Sequence, residues 1–327
     1  MRIPFEQLKQ EFKRVLLKLS FPQEKAEACA RIFAANSRDG VYSHGLNRFP
    51  VFVEYVQKGL IHGDAEPVLI ETIGAIERWD GQYAPGMYNA SLCMDRAIAL
   101  AKTHGIGCVA VKNTNHWMRG GTYGWQAAEA GCIGICFTNT LANMPAWGGM
   151  NPVLGNNPLV IAVPRAGGHV VLDMAMSQFS YGKLQEYELK KAPLPLPGGY
   201  DEQGNLSTDP VAIRNTKRTL PVGFWKGSGL SMILDVMVVA LSGGRSTAQI
   251  TSGVDEVGLS QCFICLHQPD MHEGLIEEII NFTKSSTPAE PGGQVTYPGE
   301  RTLQTRLKNE AEGIPVNETI WQQVKNM

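Results

Sequence analysis

The sequence lacks most of the short motifs that disclose a chemistry directly. It has no G-x-G-x-x-G fingerprint, no G-x-S-x-G elbow, no H-E-x-x-H and no Walker loop. An ordinary Rossmann domain, an elbow-type serine hydrolase, a zincin and a P-loop enzyme are thereby excluded. Charge of one sign is also missing. The net charge is −2 and no Lys/Arg-rich run occurs, so there is no electrostatic footprint for nucleic acid. The longest apolar run, Gly229 to Leu241, is interrupted by Asp235 and too short to span a bilayer. The amphipathic start, MRIPFEQLKQEFKRVLLKL, has no apolar signal-peptide core. A disulfide framework is absent too, because the seven cysteines are odd in number and scattered through apolar segments. These absences predict a soluble cytoplasmic protein with no membrane or nucleic-acid partner. Cys262-Phe263-Ile264-Cys265 has no second pair, and a strand there points its cysteines to opposite faces. His267, Asp270 and His272 lack a fourth partner, so no metal is expected.

What is present is a chain of 327 residues, 43% hydrophobic and 18% charged, enough for one large or two modest domains. Apolar spacing predicts two helices over 5–36 and a third carrying Phe49, Val53 and Val56, with Pro50 in its first turn. Val68 to Trp79 reads as a hairpin around Gly74. Helices are expected at Tyr88–Lys102, Gly124–Ala130 and Tyr181–Lys191. Strands are expected at Cys108–Val111, Ile133–Thr138, Leu159–Val163 and Val170–Met174. This alternation argues for an α/β fold. Pro193 to Pro210 reads as a long surface loop. A buried helix over Gly229–Leu241, a strand over Cys262–His267, a helix over Glu273–Lys284, a connector over Ser285–Gly299 and two terminal helices complete the reading.

Three clusters carry the chemistry. Tyr42-Ser43-His44-Gly45-Leu46-Asn47-Arg48-Phe49-Pro50 holds an imidazole four residues from a guanidinium. The first can exchange a proton near neutral pH, and the second is the best side chain for orienting a carboxylate. Were that turn helical, His44 and Arg48 would share a face. Pro50 places His44 ahead of the helix or in an irregular first turn. Asn113 to Gly121, with His116 and Arg119, follows the Cys108–Val111 strand, where α/β proteins place ligand loops. Gly223-Phe224-Trp225-Lys226-Gly227-Ser228-Gly229 puts glycines and a lysine before a helix, a phosphate-binding arrangement or a plain helix start. Asp173, between Leu172 and Met174, requires a polar partner.

These residues together are similar to the malate/L-lactate dehydrogenase family, whose members use NAD(P) without a Rossmann fold. The resemblance rests on Tyr42 to Phe49, Asn115-His116-Trp117-x-Arg119-Gly120-Gly121-x-Tyr123-Gly124-Trp125, Asp173-Met174-Ala175-Met176-Ser177, Gly223-x-Trp225-Lys226-Gly227-Ser228-Gly229 and Pro298-Gly299-Glu300, in order through essentially the whole chain. It implies a homodimeric NAD(P)-dependent oxidoreductase. The implied fold is α/β, a mixed sheet with flanking helices. Residues 1–75 and 300–327 would form a mainly helical substrate and dimer domain, and 76–299 a non-Rossmann NAD(P)-binding domain. His44 maps to the family's proton donor, and Arg48 and His116 to substrate-site positions. The cofactor segments map to His169, Val170, Val171, Leu172, Asp173, Met174 and Ala175, to Trp225 and Lys226, and to Gly299, Glu300 and Arg301. Asn156 departs from the family's usual threonine, and the loop Arg165 to His169 is one residue longer than in related chains. The implied reaction is reduction of a keto acid by NADH, with NADPH open. The residues alone also suit a non-catalytic sugar-acid binder, or a cofactor-free lyase or hydrolase built on His44 and His116.

Overall fold

The structure, a computed structural model, describes residues 1–253 and 255–327. The chain begins with β1 (Arg2–Ile3), α1 (Phe5–Lys18) and α2 (Gln23–Arg38). Two 3-10 turns, Tyr42–His44 and Leu46–Arg48, lead into α3 (Phe49–Gln57). The hairpin β2 (Val68–Ile73) and β3 (Ile76–Asp80) precedes α4 (Gly86–His104), β4 (Ile106–Thr114), α5 (Gly121–Glu129) and β5 (Ile133–Thr138). The short pair β6 (Met144–Pro145) and β7 (Pro152–Leu154) is followed by β8 (Leu159–Val163) and β9 (Val170–Met174). A side lobe comprises α6 (Tyr181–Leu189), β10 (Gly199–Tyr200), β11 (Leu206–Ser207) and α7 (Pro210–Thr216). Then come α8 (Trp225–Ser242), α9 (Thr247–Thr251), β12 (Leu259–Leu266), α10 (Glu273–Lys284), α11 (Glu300–Glu312), β13 (Ile314–Pro315) and α12 (Glu318–Lys325).

The centre is a seven-stranded mixed sheet in the order β2-β3-β4-β12-β5-β8-β9. Only β3 and β4 pair in parallel. Because β12 runs against both β4 and β5, and β8 against both β5 and β9, strands β4, β5 and β9 all point the same way. Their C-terminal ends therefore open along one edge, where the sheet presents its loops. β12 is buried almost throughout because both faces of the sheet are covered. α4 and α5 cover one face, and α8 the other. Cys262 lies in the core on the α8 side and Cys265 in the core on the α4 side, as alternation requires. The hairpin joins β2 to this sheet, across the expected domain boundary at residues 75 and 76.

A separate core joins α1, α2 and α3 to the C-terminal residues Ile314, Trp321 and Val324. Phe12, Phe33, Phe49 and Phe52 form its aromatic centre, with Phe33 meeting Phe49 edge-on at 5.1 Å between ring centroids. The paired strands β1 and β13 close the two chain ends together. One buried carboxylate then locks this helical layer to the sheet. Asp39, at the end of α2, accepts from Arg38 Nε at 3.0 Å, from Arg119 Nη1 at 2.7 Å, and from Arg306 Nε and Nη2 at 2.9 and 2.7 Å. Burial works against its ionisation, but the guanidinium groups of Arg306, Arg119 and Arg38 prevail and hold its pKa below the usual value.

Three expectations need correction. The Pro193–Pro210 stretch contains the β10–β11 pair, and Pro210 opens α7 behind an Asp209 N-cap. The α8 helix has 18 residues and is long and apolar enough in principle to cross a membrane. Here it lies on the sheet, and its Asp235 accepts from Asn139 Nδ2 at 2.9 Å and from Thr247 N. Nor is α8 buried all round. Leu230, Met232, Ile233, Val236 and Met237 are exposed, because only one side of an evenly apolar helix reaches the sheet.

Removing one member of a buried charge cluster leaves the others uncompensated. Asp39→Ala is expected to destabilise the fold by about 3–5 kcal/mol. A urea denaturation midpoint equal to that of the unaltered chain would show that the cluster carries no such weight.

Candidate active site

Gly45 determines how the first cluster folds. An added Cβ there would meet Ser37 Oγ at 2.1 Å and Phe33 O at 3.1 Å, so only glycine lets the turn press against α2. With φ −112° and ψ −124°, Gly45 divides the stretch into two 3-10 turns. His44 and Arg48 therefore do not share a helical face. α2 holds both sides of the break. Asn36 Nδ2 donates to His44 O at 2.9 Å, and Leu46 N donates to Ser37 Oγ at 2.9 Å. Leu46 and Phe49 anchor the second turn in the helical core, and Pro50 takes the first turn of α3 as expected.

The second cluster leaves the sheet at the end of β4. Met118 N donates to His116 Nδ1 at 3.0 Å, so the neutral imidazole keeps its proton on Nε2 and stands as a fixed donor. The backbone around it is tightly turned, with Met118 at φ +67°. Asn115 is buried and donates to Tyr83 O at 2.8 Å, and Gln261 Nε2 of β12 donates to Asn115 O at 2.8 Å. The helical layer and the sheet thus bring two imidazoles together. The rings of His44 and His116 stack with centroids 5.7 Å apart and planes 20° apart.

They sit in a cleft of about 440 Å³ at the edge where β4, β5 and β9 end. Its opposite wall is Val171, Leu172, Asp173 and Ala175 of β9 and its extension, with Gly299 ahead of α11. Gly121 N donates to Asp173 Oδ2 at 2.9 Å, which supplies the partner this carboxylate requires. Arg119 Nε lies 3.7 Å from the same oxygen and has no hydrogen-bond partner among the described residues. Gly299, at φ +95°, would bring a Cβ within 3.0 Å of Val171 N, and this close approach lets Val171 N donate to Pro298 O at 2.9 Å.

Other expected site residues are placed as follows. Arg48 is half-buried and does not line the cleft; its backbone N donates to Gly45 O at 3.0 Å, its guanidinium makes no hydrogen bond or ion pair among the described residues, and its positive charge is felt by both histidines. His169 stands at the far end of β9, its ring 5.3 Å from that of Trp125. Val170 pairs with Val163, and Met174 packs into the core beneath α8. Glu300 pairs with Lys284, and Arg301 is exposed on the first turn of α11. Trp225 and Lys226 form the first turn of α8 and do not line this cleft. Gly227 and Gly229 lie inside that helix rather than ahead of it, so the arrangement is no phosphate loop.

Sequence reasoning missed Asp39, Thr140 and Asn157. Thr140 lines the cleft just past β5, as the His116 loop does past β4, and this shared position was the available signal. Asn157 is buried, and its Oδ1 accepts from Thr140 N at 3.0 Å while its Nδ2 donates to Ser231 O at 2.9 Å. Asn156 also lines the cleft, its Oδ1 accepting from Thr140 Oγ1 and Asn143 Nδ2.

The electrostatics favour an anion. Burial, then the positive charges of Arg48 and Arg119, lower the pKa of His44 from 6.5 to about 4. Burial, Arg48 and His44 push His116 well below its ordinary value. Asp173 is raised by desolvation in the cleft, against the pull of Arg119 and the Gly121 N–H.

Comparisons with known proteins show what the chain is similar to. The profile of a family described as malate/L-lactate dehydrogenase matches residues 3–325. The chain is 45% identical over 331 residues to the 2,3-diketo-L-gulonate reductase of Citrobacter koseri, covering 99% of each. It is 45% identical over 333 residues to the protein of that name from Pasteurella multocida, covering 100% of each. Among solved structures, the sulfolactate dehydrogenase of Methanocaldococcus jannaschii superposes with a TM-score of 0.90 at 29% identity, covering 100% of this chain and 96% of that one.

Both histidines are held neutral in the fold but regain an ordinary imidazole pKa on unfolding. The unfolded chain then binds more protons, so stability falls as pH drops below about 6.5, and for His44 the loss is complete near pH 4. The melting temperature is expected to fall between pH 7 and pH 5, and to fall less in a His44→Gln/His116→Gln double variant. Equal falls in both proteins would assign the acid sensitivity elsewhere.

Proposed function

The chain belongs to the malate/L-lactate dehydrogenase family and is an oxidoreductase that uses a nicotinamide cofactor, and from that premise we propose that it reduces a 2-keto sugar acid. The reaction that fits best is 2,3-diketo-L-gulonate to 3-dehydro-L-gulonate, with NADH as cofactor. The observation that carries this reading is the stacked His44–His116 pair lining the cleft, with the positive charge of Arg48 acting on both rings. Full-length relatives that carry the reductase name support the substrate class.

In this reading Arg48 holds the substrate carboxylate, because a planar guanidinium can bind it through two hydrogen bonds. His116, with Nδ1 occupied by Met118 N, donates from Nε2 to a substrate oxygen. His44 gives its proton to the carbonyl oxygen. The reduced nicotinamide, when bound, supplies the hydride. Val171, Leu172, Asp173, Ala175 and Gly299 would hold it, since the Gly299 cradle and the orphaned Arg119 Nε leave a polar groove along β9. His169, Val170, Met174, Glu300 and Arg301 continue the expected cofactor segments beyond the cleft.

We further assign the exposed apolar side of α8 to a homodimer. Leu230, Met232, Ile233, Val236 and Met237 lie on the same helix as Trp225 and Lys226. In this assignment a second copy brings these last two toward its partner's cleft. Residues 1–75 and 300–327, β2 excepted, then supply the substrate end, and the sheet supplies the cofactor end. All seven cysteines are free thiols, which suits the reducing cytoplasm.

NADH absorbance is to be followed with 2,3-diketo-L-gulonate, pyruvate, oxaloacetate and a cyclic imino acid, and repeated with NADPH. Fastest turnover of the diketo acid is expected. Preference for oxaloacetate or pyruvate would make the enzyme a malate- or lactate-type dehydrogenase, preference for the imino acid an imino-acid reductase, and binding without turnover a binding protein. His44→Ala should cut kcat roughly 10²- to 10⁴-fold with NADH affinity nearly unchanged. Arg48→Ala should raise KM for the keto acid roughly tenfold to hundredfold. Val236→Glu is expected to convert the dimer to a monomer in light scattering; a monomeric parent protein would refute the α8 assignment.

A further inference from the structure

The side lobe between β9 and α8 has its own small core of Leu184, Leu194 and Ile213. Its helix α6 starts from a Ser180 N-cap and lies against the Tyr42–His44 turn. The point of contact is a glycine. A Cβ on Gly182 would fall 2.6 Å from Ser43 Oγ, 2.7 Å from Ser43 Cβ and 3.9 Å from His44 Cε1. The lobe thus seats its backbone directly on Ser43. The Ser43 hydroxyl has a single hydrogen-bond contact among the described residues, His44 Nδ1 at 3.0 Å. The His44 backbone is already fixed through Asn36, so the freedom left to this residue is that of its ring and its protons.

We propose that Ser43, clamped by Gly182 of the side lobe, is a positioning residue that keeps Nδ1 of His44 occupied and so presents Nε2 to the substrate. This rests on the reading of His44 as proton donor. The role proposed for the Ser43 hydroxyl is that of acceptor from Nδ1–H, both in the imidazolium and in the neutral ring. In the imidazolium, Nδ1–H donates to Ser43 Oγ while Nε2–H faces the carbonyl oxygen. When the carbonyl is reduced, the Nε2 proton of His44 passes to its oxygen. His44 is left neutral, with its remaining proton on Nδ1 and still bonded to Ser43. Solvent then returns one proton to Nε2, and the cycle consumes one hydride and one proton per carbonyl reduced. The hydrogen bond at one ring nitrogen decides which nitrogen is reactive. Without Oγ, the neutral ring is free to carry its proton on Nε2, where it blocks return of a proton to that atom. The charged or titratable groups around this ring are Arg48 in the following turn, His116 and Arg119 in the loop after β4, Asp173 on β9, and Lys183 and Glu186 on α6.

The test uses the full-length enzyme with NADH and 2,3-diketo-L-gulonate, or whichever keto or imino acid of the panel it turns over, in four variants: Ser43→Ala, Ser43→Thr, Gly182→Ala and His44→Gln. Ser43→Ala should lower kcat about tenfold to hundredfold, with KM and NADH affinity nearly unchanged. Ser43→Thr keeps the hydroxyl and should recover most of the loss. Gly182→Ala displaces Ser43 and should lower kcat as Ser43→Ala does. A readout independent of turnover is the ¹⁵N spectrum of histidine-labelled protein at pH 8, where the His44 signal should move from the Nδ1–H toward the Nε2–H tautomer in Ser43→Ala. Wild-type kcat and an unmoved tautomer in Ser43→Ala, with His44→Gln inactive, would overturn the role of Ser43 and leave His44 as donor. Full turnover in His44→Gln would remove the donor reading itself, and the role of Ser43 with it.

Discussion

Asp39 is the constraint on which the architecture depends. It is a single buried carboxylate facing the guanidinium groups of Arg38, Arg119 and Arg306, which come from three separate parts of the chain. Such clusters add little net stability against an apolar alternative, but they are strict about geometry, because any unmatched charge left inside is costly. Here that strictness sets the position of the helical layer against the sheet. His44 and Arg48 belong to one side of that seam, and His116 and Asp173 to the other. The 5.7 Å stacking of the two imidazoles is thus a product of two independently packed cores meeting at a fixed offset.

The same seam sets the charge of the cleft. Arg119 is held by Asp39 yet still acts on His44, and Arg48 acts on both histidines. Before an anion enters, the positive field and the poor solvation keep both rings neutral. A negative charge placed beside Arg48 would offset that part of the field and shift the balance toward the imidazolium. The positive charge on Arg48 and Arg119 thus adds to burial in disfavouring the imidazolium of His44.

Much of this was legible in the chain, for local reasons. The strands Ile133–Thr138, Leu159–Val163 and Val170–Met174 and the helix Glu273–Lys284 are bounded at most of their ends by proline or polar residues, and the structure reproduces them to the residue. The polar residue types of the site are concentrated in two short clusters, so His44, Arg48 and His116 stood out. What stayed hidden depends on long-range partners. Asp39 meets Arg119 80 positions away and Arg306 267 positions away, and nothing beside it in sequence marks it. The even apolarity of α8 states that it packs but not which side remains open. Helix α7 is hidden in a composition typical of loops, and only the Asp209-Pro210 pair marks its start.

The place of β12 in the sheet has a consequence for how the protein is made. This strand lies between β4 and β5 although it is encoded 145 residues after β4 ends. At ordinary translation speeds of about 5–20 residues per second, the ribosome spends roughly 7 to 30 s between those two points. During that interval β4 and β5 have hydrogen-bonding edges facing an empty slot, and the His116 loop lacks the Gln261 amide that holds Asn115. A nascent chain released before β12 emerges cannot close the sheet. Premature termination therefore gives molecules with two unsatisfied strand edges, substrates for chaperones and proteases rather than partly active enzymes.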